Sequence, residues 1–311
     1  MPRAASGPRP VGQGLEGIGL LSWIFKINRE CSSGAKRYLT DDPGSKPNEY
    51  IDCVFKRLVA PKFNLPFSLP SLVSQCAVCR SWPARQVCAP CVSRFSPKTL
   101  RCMACALDLP PDLPCNTAPV ALSLRLCMDC TRRPLPVDNT LVAFTYAYPW
   151  SELIAHYKFG NRSGWAPFFA ELMLGTAGVR PVLEALHADD LIIPMPLSVQ
   201  RLQSRGFNQA WELTRALARQ SATPAQPDAR LLLRVKHTQP QTTLQREARL
   251  ANVKGAFQAD PLRAHLLAGR RVVLVDDVMT SGASLFTAAE ALRAAGAVHI
   301  TAMALARTSA P

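Results

Sequence analysis

Eight cysteines of this chain fall into four Cys-x2-Cys pairs: Cys76 and Cys79, Cys88 and Cys91, Cys102 and Cys105, Cys127 and Cys130. Two residues between ligands let both sulfurs of a knuckle face one ion, and two knuckles complete a tetrahedral zinc site. Four knuckles therefore predict two zinc ribbons, each with four thiolates. Such sites keep no open position for a substrate, so the Zn²⁺ they imply is structural. The spacing leaves open which knuckle pairs with which. A redox role is disfavoured because redox Cys-x2-Cys motifs seldom come in fours. Cys115 stands alone and reads as a free thiol, and Cys31 and Cys53 lack a partner at ligand spacing.

A second chemical signal lies at Val272 to Ser284, VVLVDDVMTSGAS. An apolar run leads to two carboxylates, Asp276 and Asp277, then to a small turn, Thr280-Ser281-Gly282-Ala283-Ser284, and then to a helical pattern. The carboxyl end of a parallel strand is where α/β folds bind ligands. Backbone N–H groups at a helix N-terminus favour a phosphate there, and Gly282 permits a close approach and an unusual φ. Thr280, Ser281 and Ser284 add hydroxyl donors. The two carboxylates stand one sugar-length away, placed to accept from ribose hydroxyls. The alternative is an acidic turn that caps a helix through Ser281. Two adjacent acids at a buried strand end are costly without a ligand or cation, which favours the site.

The elements that must hold these residues follow from periodicity. Arg271 to Val275 reads as a strand buried on both faces, Ala283 to Ala294 as a helix closed by Gly296, and His299 to Ala306 as a further strand. Upstream, Thr140 to Tyr148 and Leu191 to Pro196 read as strands. Glu152 to Phe159, Ala166 to Leu174 and Asn208 to Gln220 read as helices, and Ser221 to Asp228 as a proline-containing linker. Strands alternating with helices predict an α/β domain with a parallel sheet flanked by helices. The Cys-rich segment is small and loop-rich, and needs a metal staple. The expected organisation is a poorly ordered extension over 1–70, a double zinc ribbon over 71–135 and the α/β domain over 138–308.

Composition bounds the function classes. The 311 residues suffice for a sizeable core, and 36 basic against 22 acidic residues give a net charge of +14. A basic surface suits phosphate-bearing partners, nucleotides or nucleic acid; solubility alone is the bland alternative. No apolar run reaches the roughly 18 residues that a membrane-spanning helix needs. The short stretch Ile18 to Phe25 lacks a cleavage pattern. The expectation is a soluble, cytoplasmic protein.

Taken together, these blocks resemble the ComF family (ComF- and GntX-like proteins). VVLVDDVMTSGAS resembles the phosphoribosyl-pyrophosphate (PRPP) motif of type I phosphoribosyltransferases. PMPLSVQRLQSRGFNQ, Pro194 to Gln209, is similar to the family's proline and RGFNQ block. QTTLQREARLANVKGAF, Gln241 to Phe257, and HYKFGNR, His156 to Arg162, are similar to two further blocks. The resemblance covers about 76 to 307. It implies a type I phosphoribosyltransferase-like sheet preceded by the zinc ribbons, with Asp276 and Asp277 on the PRPP ribose and Thr280 to Ser284 on its 5′-phosphate. It makes Lys158, Arg201, Arg205 and Arg249 candidates for pyrophosphate or nucleic-acid phosphate, with Mg²⁺ carried by PRPP. It also ties the chain to competence, with single-stranded DNA and a competence helicase as candidate partners. The acceptor stays open; His156 and His237 are general-base candidates by side-chain type alone. The rival reading is a non-catalytic module that contacts nucleic acid or a partner through the ribbons and basic blocks. A third is a PRPP-responsive regulator.

Overall fold

The computed structural model describes residues 74–82, 84–110, 125–160, 163–236, 253 and 255–309. The extension expected over 1–70, Cys115, His237 and Arg249 lie outside the described residues.

The frame is a five-stranded parallel sheet in the order β1-β7-β6-β2-β3, formed by β1 (Asn139–Thr145), β2 (Leu191–Pro194), β3 (Gln226–Pro227), β6 (Arg271–Met279) and β7 (His299–Arg307). A separate antiparallel pair joins β4 (Leu232–Arg234) to β5 (Phe257–Ala259). The helices are α1 (Ala89–Phe95), α2 (Met128–Arg132), α3 (Trp150–Phe159), α4 (Ala166–Leu174), α5 (Val179–Glu184), α6 (Val199–Arg205), α7 (Gln209–Ser221) and α8 (Ala283–Ala294). None among the described residues is long and apolar enough to cross a membrane.

The central strand β6 is apolar on both faces because it has layers on both sides. Val272 and Leu274 pack with Ile193, Ala302, Ala304 and the α8 residues Leu285, Ala288 and Leu292. Val273 and Val275 pack with Ile192, Met303, Phe144 and residues of α3, α4 and α7. On α7, Leu213 and Leu217 are fully buried, whereas Trp211 is only half-buried, with the Arg215 guanidinium 5.9 Å from its ring centroid.

Several expected bounds shift: the strand expected over 140–148 ends at Thr145, and that over 191–196 ends at Pro194. β6 runs four residues beyond Val275, because β7 stays in register with it as far as Met279 opposite Arg307. The acidic pair therefore sits within the hydrogen-bonded strand. The expected linker 221–228 contains the edge strand β3, where Pro227 is tolerated because only one side is paired.

The cysteine clusters pack on opposite faces of this sheet. Cys76 and Cys91 share a core with Trp150, Phe144 and α4, and Cys102, Cys105 and Cys130 share the other with Val142, Ala304 and α8. Trp150 links the first cluster to the sheet: its ring stacks on Phe144 at 4.1 Å, and its Nε1 donates to the Phe95 carbonyl at 2.7 Å. Burial of a side chain this large is worth about 3 kcal/mol.

Candidate functional site: an acidic strand end and two cysteine clusters

The end of β6 sits where the chain diverges. After β2 it leads through α6 and α7 to β3 on one side, and after β6 it leads through α8 to β7 on the other. This is the point at which an open parallel sheet leaves a crevice at its carboxyl edge.

Strand geometry separates the two acids. Successive side chains point to opposite faces, so Asp276 shares the side of Val272 and Leu274, and Asp277 that of Val273 and Val275. Asp277 is buried, and Lys158 Nζ from α3 lies 2.9 Å from its Oδ1. Asp276 is half-buried and lines a polar pocket with Met279, Thr280, Gly282 and Ser284. Burial first, and the neighbouring Asp277 second, push its carboxyl up to about 7; Lys158, the Asp277 backbone N–H and Arg234 act in the opposite direction. That N–H donates to Asp276 Oδ1 at 2.8 Å.

The turn has the expected form. Gly282 is the N-cap of α8 at φ +81°, and an added Cβ would lie 2.4 Å from Phe286 Cε2 and 2.6 Å from Met279 Cε. Only glycine fits that conformation and that space. Ser281 Oγ accepts from the Ala283 N–H at 3.4 Å, so this hydroxyl helps close the turn from outside the N-cap position. Ala283 is buried at the first turn of α8.

Cations converge on the acids from three elements. Besides Lys158, α6 brings Arg201 and Arg205. Burial lowers the Arg205 pKa, with Arg201 acting the same way and Asp277 and Asp276 opposing. Its guanidinium lies 5.1 Å from the Phe159 ring centroid and donates to Gln209 Oε1 at 2.9 Å. Arg234 was not anticipated from sequence. Burial lowers its pKa too, Arg201 acting the same way and Asp276 opposing, and it lies 5.4 Å from the Phe257 ring centroid. No spacing rule marks it; only the β4–β5 pairing brings it here. Asn208 caps α7 through the Ala210 and Trp211 N–H groups and donates to the Met195 carbonyl, and Phe207 packs edge-on to Tyr157. His156 is exposed on α3.

The knuckles pair in chain order. Cys76, Cys79, Cys88 and Cys91 form one group, and Cys102, Cys105, Cys127 and Cys130 the other, with the sulfurs of each within 4.8 Å of one another. The Cys79–Cys88 and Cys105–Cys127 sulfur separations are 3.6 and 3.7 Å. These match the edge of a tetrahedron built on Zn–S bonds of about 2.3 Å and are far too long for disulfides. Backbone N–H groups of Val78 and Cys88 donate to Cys76 Sγ, and that of Cys127 to Cys102 Sγ, as suits thiolates. Hydrogen bonding with Ser81 pulls Cys79 down to about 6, while burial and sulfur neighbours push Cys91 and Cys130 up to about 12. Four crowded thiols cannot all ionise alone; a divalent cation lets them. Both groups fit structural zinc.

The phosphoribosyl transferase domain family matches residues 204–310. The chain is 34% identical over 191 residues to the DNA utilization protein YhgH of Shigella flexneri, covering 58% of this chain and 78% of that protein. It is 33% identical over 181 residues to competence protein F of Haemophilus influenzae, with 58% and 78% covered. It is 27% identical over 174 residues to competence protein ComFC of Bacillus subtilis, with 54% and 65% covered.

Proposed function

The chain belongs to the ComF family, and from that membership we propose that it binds PRPP or a related phosphoribosyl ligand at the end of β6. The observation that carries this reading is the polar pocket shared by Asp276 and the Thr280 to Ser284 turn at the carboxyl edge of a parallel sheet. The 5′-phosphate lies on the N-terminus of α8, where backbone N–H groups and the helix dipole favour an anion. Asp276 accepts from the ribose hydroxyls; the family resemblance assigns Asp277 to the same sugar, which requires it to turn from Lys158 toward the ligand. Arg201, Arg205 and Arg234 supply positive charge for the pyrophosphate, and Arg249 belongs to the same candidate set. Mg²⁺ arriving with PRPP neutralises pyrophosphate charge.

Where an acceptor is present, its nucleophile forms a bond to ribose C1 as the C1–O bond to pyrophosphate breaks and pyrophosphate leaves with the electron pair. The residues here orient the sugar and stabilise charge; none is required to form a covalent intermediate. The relatives' names, DNA utilization protein and competence protein, support a role linked to DNA uptake for this chain.

A second reading has its own observation. Tyr148 is 57% exposed and meets Phe95 edge-on at 5.7 Å, and the Arg94 guanidinium lies 5.3 Å from the Phe95 ring centroid. Trp82, Arg80 and Lys98 are exposed on the same cysteine-rich segment. Interleaved aromatic and basic side chains suit single-stranded DNA. The fold adds Tyr148 to the Trp82 and Phe95 visible within the ribbons.

Ribose 5-phosphate tests the phosphate turn alone. Gly282→Ala forces φ and a methyl group into the space of Phe286 and Met279, and should weaken ribose 5-phosphate binding at least about tenfold, roughly 1.4 kcal/mol. Equal affinity in the folded variant would remove the turn from the site.

A further inference from the structure

The last residue of β7, Arg307, is only 5% exposed. Its Nε donates to the carbonyl of Cys105 at 3.0 Å, and its Nη1 to the carbonyls of Thr308 at 3.0 Å and Met279 at 3.4 Å. Cys105 belongs to the second cysteine cluster. Met279 is the last residue of β6, directly before the Thr280 to Ser284 turn. One planar guanidinium therefore joins a metal-ligand knuckle to the entry of the candidate phosphate turn. The Met279 carbonyl also accepts from the Thr308 N–H at 3.1 Å, which fixes its direction.

The knuckle is anchored at its other side as well. The Thr140 N–H donates to the Met103 carbonyl at 2.7 Å, and Thr140 Oγ1 donates to that of Ala104 at 2.7 Å. Residues 102–105 are thus clamped between β1 and the end of β7. The first cluster lies on the opposite face and is tied to the sheet through Phe95 and Trp150.

We infer that Arg307 is a positioning residue that couples the second cysteine cluster to the turn at Thr280 to Ser284, so that a filled cluster holds this turn in its anion-accepting shape and the first cluster does not. The coupling runs both ways, because linkage between two sites is reciprocal. Lysine cannot substitute: a single ammonium lacks the fork that spans two carbonyls.

The test uses the full chain with ¹¹³Cd in place of zinc. The two tetrathiolate resonances are assigned through correlation to the cysteine β protons, and amide exchange of residues 279–284 is followed by mass spectrometry. In Arg307→Lys, the resonance of the 102/105/127/130 cluster should shift, the other should stay, and the turn should exchange at least tenfold faster. Unchanged resonances and unchanged turn exchange would overturn the coupling. If the variant does not fold, chelation of the wild type decides the matter. Turn exchange should rise in step with loss of the second-cluster resonance while residues 272–275 stay protected. A rise that tracks the first cluster, or no rise after complete stripping, would overturn it. Neither arm uses a phosphoribosyl ligand, so the outcome is separate from that of the proposed function.

Discussion

Asp276 and Asp277 are neighbours in sequence that face opposite layers, and this sets their different chemistry. Asp277 meets Lys158, whereas Asp276 faces the pocket with its carboxyl pushed up to about 7 by burial and by Asp277. A raised pKa means that the folded protein binds this proton more tightly than the unfolded chain, whose reference value is 3.8. The resulting stability is complete below about pH 4 and is lost as the pH rises through about 7, by up to about 1.4 kcal/mol per unit. Asp276→Asn keeps an oxygen for the Asp277 N–H and removes the titration. Its urea midpoint should fall less than that of the wild type between about pH 4 and pH 8; parallel curves would show that Asp276 titrates normally.

The ion pair that spans two elements belongs to α3 and β6. Lys158→Met leaves Asp277 buried beside Asp276 without its partner, and should cost about 3 kcal/mol, the scale for breaking a buried pair. Adding Asp277→Asn should recover most of that loss in urea unfolding, and an additive double variant would deny the pair. How far such elements are legible in sequence depends on how local their causes are. The β-branched run of β6, the turn chemistry at Gly282, the bounds of α4 and α8 and the Cys-x2-Cys knuckles are local, and all were readable. α6 is seven residues long and has no buried residue, so it lacks an apolar stripe to betray it. The extension of β6 past Val275 depends on its partner β7. Arg234 and Arg307 acquire their neighbours from the β4–β5 pairing and from the register of β7, which no short window of sequence contains. Knuckle pairing was unreadable for the same reason: Cys105 and Cys127 are 22 residues apart, yet their sulfurs lie 3.7 Å apart.

At the scale of the molecule, two metal-ready clusters brace opposite faces of one sheet, and the net charge is +14. Arg94, Phe95 and Tyr148 group beside the first cluster, and Trp82 is exposed on the same cysteine-rich segment. Single-stranded DNA bound there should lose affinity steeply with salt, with a slope near −0.7 per phosphate contact, and Tyr148→Ala should weaken it by about 1–3 kcal/mol. Salt-independent binding, or no binding, would reject the second reading. At the carboxyl edge of the sheet, Asp276 lines the polar pocket, and Arg205 and Arg234 are close enough to interact with it electrostatically. The most direct test of the central claim, ligand binding there, is calorimetric titration of PRPP with Mg²⁺ into the zinc-loaded protein and into the Asp276→Ala/Asp277→Ala variant. The account predicts saturable binding by the wild type that the folded double variant loses; no binding by the folded wild type, or equal binding by both, would contradict it.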